Sequence, residues 1–180
     1  MEKIKEKILL TKVRAGDKEA FGQLYDLYVE RIYRFIYFKV SRASDAEDLS
    51  SEVFLRSWKY ISDGAEVKNF KAFLYRISRN VIIDFYRKNY GKYTLNIEDE
   101  AIVDNLRANN LIEKIDINIQ IKEVMKALDK LKEEYRESIL LRFVEDYSIS
   151  EIAEIMNRSN GAVRVLLHRA IESLKKKLRV

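Results

Sequence analysis

The chain contains no cysteine and no proline, only five glycines and a single histidine in 180 residues. Without cysteine, disulfides and thiolate metal sites are excluded, and the lone His168 makes no metal site by itself. The lack of proline and the scarcity of glycine argue against a sheet protein with many tight turns, so the expected class is all-α. The longest apolar runs fall well short of a membrane span. The charged start, Met1-Glu-Lys-Ile-Lys-Glu-Lys7, is followed by no apolar signal core. A cytoplasmic protein with no direct membrane insertion is therefore expected. No carboxylates cluster with a base, so no catalysis, cofactor or small-molecule substrate is expected either.

What is present is a globular balance, 47% hydrophobic and 35% charged. The formal net charge is +5, and its distribution says more than its total. Residues 1–89 carry a net +5, residues 90–118 a net −3 and residues 119–180 a net +3. Two basic blocks thus flank an acidic joint. From Arg158 to Val180 there are seven Lys or Arg and one acid, Glu172. Such an end attracts polyanions, although a helix terminus also favours cations through its dipole.

Apolar spacing follows a helical period nearly throughout. Helices are expected over about 2–14, 18–40, 44–61 and 68–88, and then over about 119–131, 133–144, 148–156 and 160–178. Gly16 ends the first and Asp17 caps the second. Ser44 and Glu47 have the spacing of a capping box at the start of the third. Residues 90–118 lose the period and read as a flexible linker. The expected architecture is two small helical domains, 1–89 and 119–180, joined by that linker.

The strongest motif lies in the second domain. Ser148 and Glu151 form another capping box. Ala153 is small where a second helix must cross closely. Asn157 occupies a turn position that needs a left-handed backbone, and Ser159 caps the next helix. Val163 and Leu167 anchor that helix to the first. These are the steric requirements of a helix-turn-helix. Its second helix lays its N-terminal end in the major groove, with Asn160 and Arg164 pointing at bases. Arg158, Ser159 and Arg169 are better placed for phosphates. An ordinary helical hairpin with a basic face is the competing reading.

Two segments together resemble the extracytoplasmic-function sigma factors of the sigma-70 family. The first runs from Asp45-Ala-Glu-Asp-Leu-Ser-Ser-Glu-Val-Phe54 through Trp58 and the helix Phe70–Lys88, and is similar to region 2. The second, Ala127 to Leu178, is similar to region 4. The pair in this order is far more specific than a helix-turn-helix alone. The resemblance implies that Asp45, Glu47, Asp48, Leu49, Glu52 and Phe54 bind the clamp helices of the polymerase β′ subunit. It implies that Arg76, Arg79, Asn80, Asp84, Tyr86 and Arg87 meet the −10 element, with Tyr60, Tyr75 and Tyr86 as rings for unpaired bases near the loop at 62–67. It implies that Arg158, Ser159, Asn160, Gly161, Arg164, His168 and Arg169 meet the −35 element, while the second domain docks on the β flap. An anti-sigma factor is a further expected partner. The chain departs from the family where many relatives carry Thr, Ser and Arg and this one has Ala162, Val165 and Leu166, which implies lost polar contacts on the DNA side and a different or weaker −35 readout, and in having Lys132 where proline is usual. The alternatives are a stand-alone helix-turn-helix regulator, which leaves the Asp45–Trp58 block unexplained, and a small all-α nucleic-acid enzyme.

Overall fold

The structure is a computed structural model, and it describes residues 2–40, 42–89 and 124–178. The expected linker at 90–118 and the first residues of the helix expected from 119 lie outside the described residues. Among the described residues every regular element is helical. The chain divides into two compact units, Met1–Ile97 and Glu98–Val180.

The first unit contains α1 (Glu2–Arg14), α2 (Lys18–Val40), α3 (Ala43–Ser62) and α4 (Phe70–Lys88). Gly16, with φ +90°, supplies the left-handed residue that ends α1. The Asp17 carboxylate accepts a hydrogen bond from the Ala20 amide at 3.0 Å, which caps α2. From α2, Leu24, Ile32 and Ile36 reach full burial. Aromatic rings of α2 meet both neighbouring helices: Phe21 with Trp58 and Tyr25 with Phe54 on α3, and Phe35 with Tyr75 on α4. All three contacts are edge-on, the favoured geometry for such pairs. Glu6 closes the other end of the unit by accepting from the Tyr28 hydroxyl and from the Phe70 amide.

The capping box expected at Ser44 does not form. Helix α3 starts one residue earlier, with Arg42 at the N-cap in extended backbone and no side-chain cap. Arg42 instead reaches Asp45 at 3.7 Å. Ala46, Leu49 and Val53 lie on the buried face, a stripe set by their spacing along the helix. Helix α4 has the cap that sequence reading missed: Asn69 accepts from the Ala72 amide at 2.9 Å.

In the second unit, residues 124–129 form the helical segment α5. Helix α6 (Glu133–Ile139) opens into a π-helical turn over Leu140–Val144, followed by α7 (Ile149–Met156) and α8 (Asn160–Leu178). Leu128, Leu131, Ile139 and Ala170 share one core cluster. The π turn departs from the plain helix expected over 133–144. It buries Leu140, Leu141 and, beyond it, Tyr147, and leaves Phe143 exposed. The turn between α7 and α8 is built as its residues require. Ser148 and Glu151 form a reciprocal capping box, and Asn157 sits at φ 52°, ψ 52°. Ser159 accepts from the Ala162 amide at 3.2 Å. Ser148→Ala is expected to cost about 1 kcal/mol, read as a lower denaturant midpoint with an unchanged slope.

Candidate nucleic-acid interface

Three surfaces collect the residues singled out from the sequence. The first is the N-terminal half of α3. Glu47 and Asp48 are exposed, and neither has an ion-pair partner among the described residues. Asp45 is tied to Arg42. Glu52 is tied to Arg56, which also reaches Asp84 of α4 at 3.4 Å. Leu49 and Phe54 do not belong to this surface: they are 6% and 3% exposed, because both fall on the inner stripe of α3. Phe54 stands 4.7 Å, centroid to centroid, from Tyr25. The apolar residue on the outer side is Leu55, 69% exposed, which follows Glu47 and Ser51 at intervals of one turn. Sequence reading missed it, since period alone does not say which leucine faces out.

The second surface is on α4. Phe70, Leu74, Ser78 and Val81 face the core, so Arg76, Asn80, Ile83 and Arg87 form the opposite stripe at spacings of four, three and four. Arg79 and Tyr86 flank it, both half-buried. The Arg76 guanidinium lies over the Phe73 ring at 5.5 Å, and the Tyr60 ring, at the end of α3, lies 4.9 Å from Phe73. Tyr60 is 45% exposed, which leaves it the most accessible of the three tyrosines considered for stacking. Tyr75 is not accessible at all: it is fully buried, edge-on to Phe35 at 4.8 Å, and serves the core. The Tyr86 hydroxyl donates to the Lys39 carbonyl. Asp84 pairs with Arg56 across the α3–α4 contact. Asn80 is exposed in the stripe.

The third surface is α8. Val163, Leu166, Leu167 and Ala170 bury its inner face. Leu166 therefore removes no polar contact from the outer side, contrary to the sequence expectation, whereas Ala162 and Val165 do stand exposed. Asn160, Gly161, Arg164, His168 and Arg169 are all exposed. Arg158, before the helix, makes an ion pair of 2.6 Å with Glu134 of α6. An open groove of about 330 Å³ runs beside α8, lined by Glu134, Tyr135, Arg158, Gly161, Ala162, Val165, Leu166 and Arg169. Farther along, the Glu172 carboxyl is held below the usual carboxylate range, first by a hydrogen bond from Lys175 and then by its charge, with His168 and Lys176 adding to it. Among the described residues no group of three or more His, Asp or Glu side chains is placed to hold a metal ion, and no helix is long and apolar enough to cross a membrane.

An acid-edged helix beside a basic helix in one unit, with a capped helix-turn-helix in the other, defines a two-part, all-helical protein of the DNA-binding class. Residues 24–91 match the family model of Sigma-70 region 2, and residues 121–174 match that of Sigma-70, region 4. The chain is 31% identical to the ECF RNA polymerase sigma factor SigW of Bacillus subtilis, over 94% of this chain and 95% of that protein. It belongs to the ECF RNA polymerase sigma factors of the sigma-70 family. Such proteins are transcription initiation factors that work with RNA polymerase and promoter DNA. Two solved structures share the fold. CnrH in complex with the cytosolic domain of CnrY has a TM-score of 0.71 and 23% identity, covering 97% of each chain. The sigma factor RpoE in complex with the anti-sigma factor NepR, from Bartonella quintana, has a TM-score of 0.66 and 23% identity over 89% of this chain and 97% of that one.

Proposed function

We propose that the chain divides promoter recognition between its two units. Residues 1–89 bind core polymerase through the outer side of α3 and meet the −10 element through the α4 stripe. Residues 119–180 meet the −35 element through α8 and dock on the β flap, and residues 90–118 link the two. The observation that carries this reading is the sorting of charge by helix: the unpaired acids Glu47 and Asp48 sit on α3, while Arg76, Arg79 and Arg87 sit on α4. Acids suit a basic protein partner and arginines suit phosphates, so one helix pair serves both. On the polymerase side, Leu55 adds an apolar contact beside the acids. Tyr60, next to the loop at 62–67, is the ring best exposed for an unpaired base. The protein contributes binding, not catalysis, and acts in the cytoplasm. An anti-sigma factor that covers these faces, as NepR accompanies RpoE, fits the same surfaces.

Run-off transcription tests the reading. Purified core polymerase on a pool of promoter DNA is expected to give discrete transcripts only with this chain. Absence of transcripts, together with tight duplex binding by the chain alone, would favour the stand-alone regulator.

The Arg158–Glu134 pair gives a second expectation. A guanidinium held by a carboxylate is less available to a phosphate, and the negative charge stands beside the DNA path. Glu134→Gln is expected to tighten upstream DNA binding several-fold at low salt and to steepen its salt dependence by up to about one unit of log–log slope. An unchanged slope in a salt titration sinks this assignment.

A further inference from the structure

The outer line of α8 is not polar throughout. With Val163, Leu166, Leu167 and Ala170 turned inward, the direction opposite to them passes through Gly161, Val165 and His168 at about 100° per residue. Val165 is 51% exposed at the centre of that line. Arg164 stands on one side of it and Arg169 on the other, both exposed. Gly161 precedes it by one turn, and a Cβ there would meet only the Ser159 hydroxyl, at 4.0 Å. The helix is therefore low and open immediately before the valine, so its backbone can come close to a flat surface.

A single exposed valine on a protein surface usually means nothing. This one lies on the line that faces the duplex, between two guanidinium groups. In the major groove the apolar group on offer is the 5-methyl of thymine; the remaining edge positions are hydrogen-bond donors and acceptors. A side chain without donor or acceptor discriminates there only by contact with that methyl. The geometry points to Val165 as a specificity-determining residue that reads a thymine methyl in the upstream promoter element, flanked by Arg164 and Arg169. The inference rests on the placement of α8 in the major groove given above. It turns the departure from the family at this position from a lost polar contact into a different readout.

The test uses polymerase holoenzyme assembled with the full chain. A duplex pool randomised over both promoter elements is selected for binding, and the recovered upstream element is resynthesised with uracil replacing each thymine in turn. Uracil keeps every hydrogen-bonding group and removes only the methyl. At one position the replacement is expected to weaken binding by about fourfold, the worth of burying one carbon. With Val165→Ala that penalty is expected to vanish, while with Arg164→Ala it persists although overall binding falls. Alanine at an exposed helical site favours the helix, and an unchanged thermal midpoint confirms that the variant is folded. Equal uracil penalties for the parent chain and Val165→Ala, or no penalty at any thymine, overturn the role of Val165 alone. Selection of no upstream sequence at all overturns the placement of α8 as well.

Discussion

Replacing both Glu47 and Asp48 by lysine is expected to lower holoenzyme formation by about 100-fold, because juxtaposed like charges at an interface cost several kcal/mol and each 1.4 kcal/mol is tenfold. These two carboxylates are the acids of α3 that have no ion-pair partner among the described residues. Asp45 has Arg42 at 3.7 Å and Glu52 has Arg56, so neutralising that pair removes charge already compensated within the fold. Both Glu47 and Asp48 are exposed, so the double reversal leaves the thermal midpoint within a degree or two. Phe54→Ala supplies the contrast. Phe54 is 3% exposed and packed against Tyr25, and its truncation is expected to cost about 3–5 kcal/mol of stability. Both variants lose polymerase binding, one by chemistry with the fold intact and the other by unfolding. Gel-filtration of the chain with core enzyme, paired with thermal unfolding of the chain alone, separates the two. Undiminished co-elution of the charge-reversed chain would place the polymerase contact elsewhere.

Much of the fold was legible because helical signals are local. The period of apolar residues placed α2 at 18–40, and chemistry confined to four residues placed the turn between α7 and α8: Ser148 with Glu151, Asn157 in the left-handed region, Ser159 at the next cap. The errors arose where local chemistry did not decide. Ser44 has the better capping chemistry, yet the helix begins at Ala43 with Arg42 at the N-cap and Arg42 reaching Asp45, and nothing in the structure explains that choice. The widened turn at Leu140–Val144 leaves no mark in the pattern, since its apolar residues satisfy an ordinary helix equally well. Within the candidate surfaces, residue type was readable and orientation was not. Tyr75 and Tyr60 are alike as side chains; one is in the core and the other half exposed. Leu49 and Leu55 differ in the same way. Glu134 went unnoticed because its partner, Arg158, is 24 positions away, beyond any spacing rule.

The Arg76, Arg79 and Arg87 side chains carry the other large effect. They sit on or beside the outer stripe of α4, and Asp84, the acid within α4, pairs with Arg56 of α3. A phosphate backbone entering this face would release about 0.7 counterion per contact if single-stranded and about 0.9 if duplex. Removing three contacts therefore lowers the log–log salt slope by about two to three units, which corresponds to about 50- to 200-fold in affinity at physiological ionic strength. The triple substitution to alanine should show that loss at low and moderate salt, with a flatter titration and no change in which sequence is preferred, because phosphate contacts position without specifying. Tyr60→Ala should behave oppositely. It removes a ring that rests on Phe73 and faces outward, so its loss of about 1–3 kcal/mol should be confined to melted DNA and indifferent to salt. Filter binding of holoenzyme to duplex and to pre-melted promoter DNA, each over a range of salt, gives both slopes in one experiment. A triple variant whose slope matches the parent chain would remove α4 from the DNA path, and a Tyr60 loss equal on duplex and melted DNA would reduce that ring to a packing role.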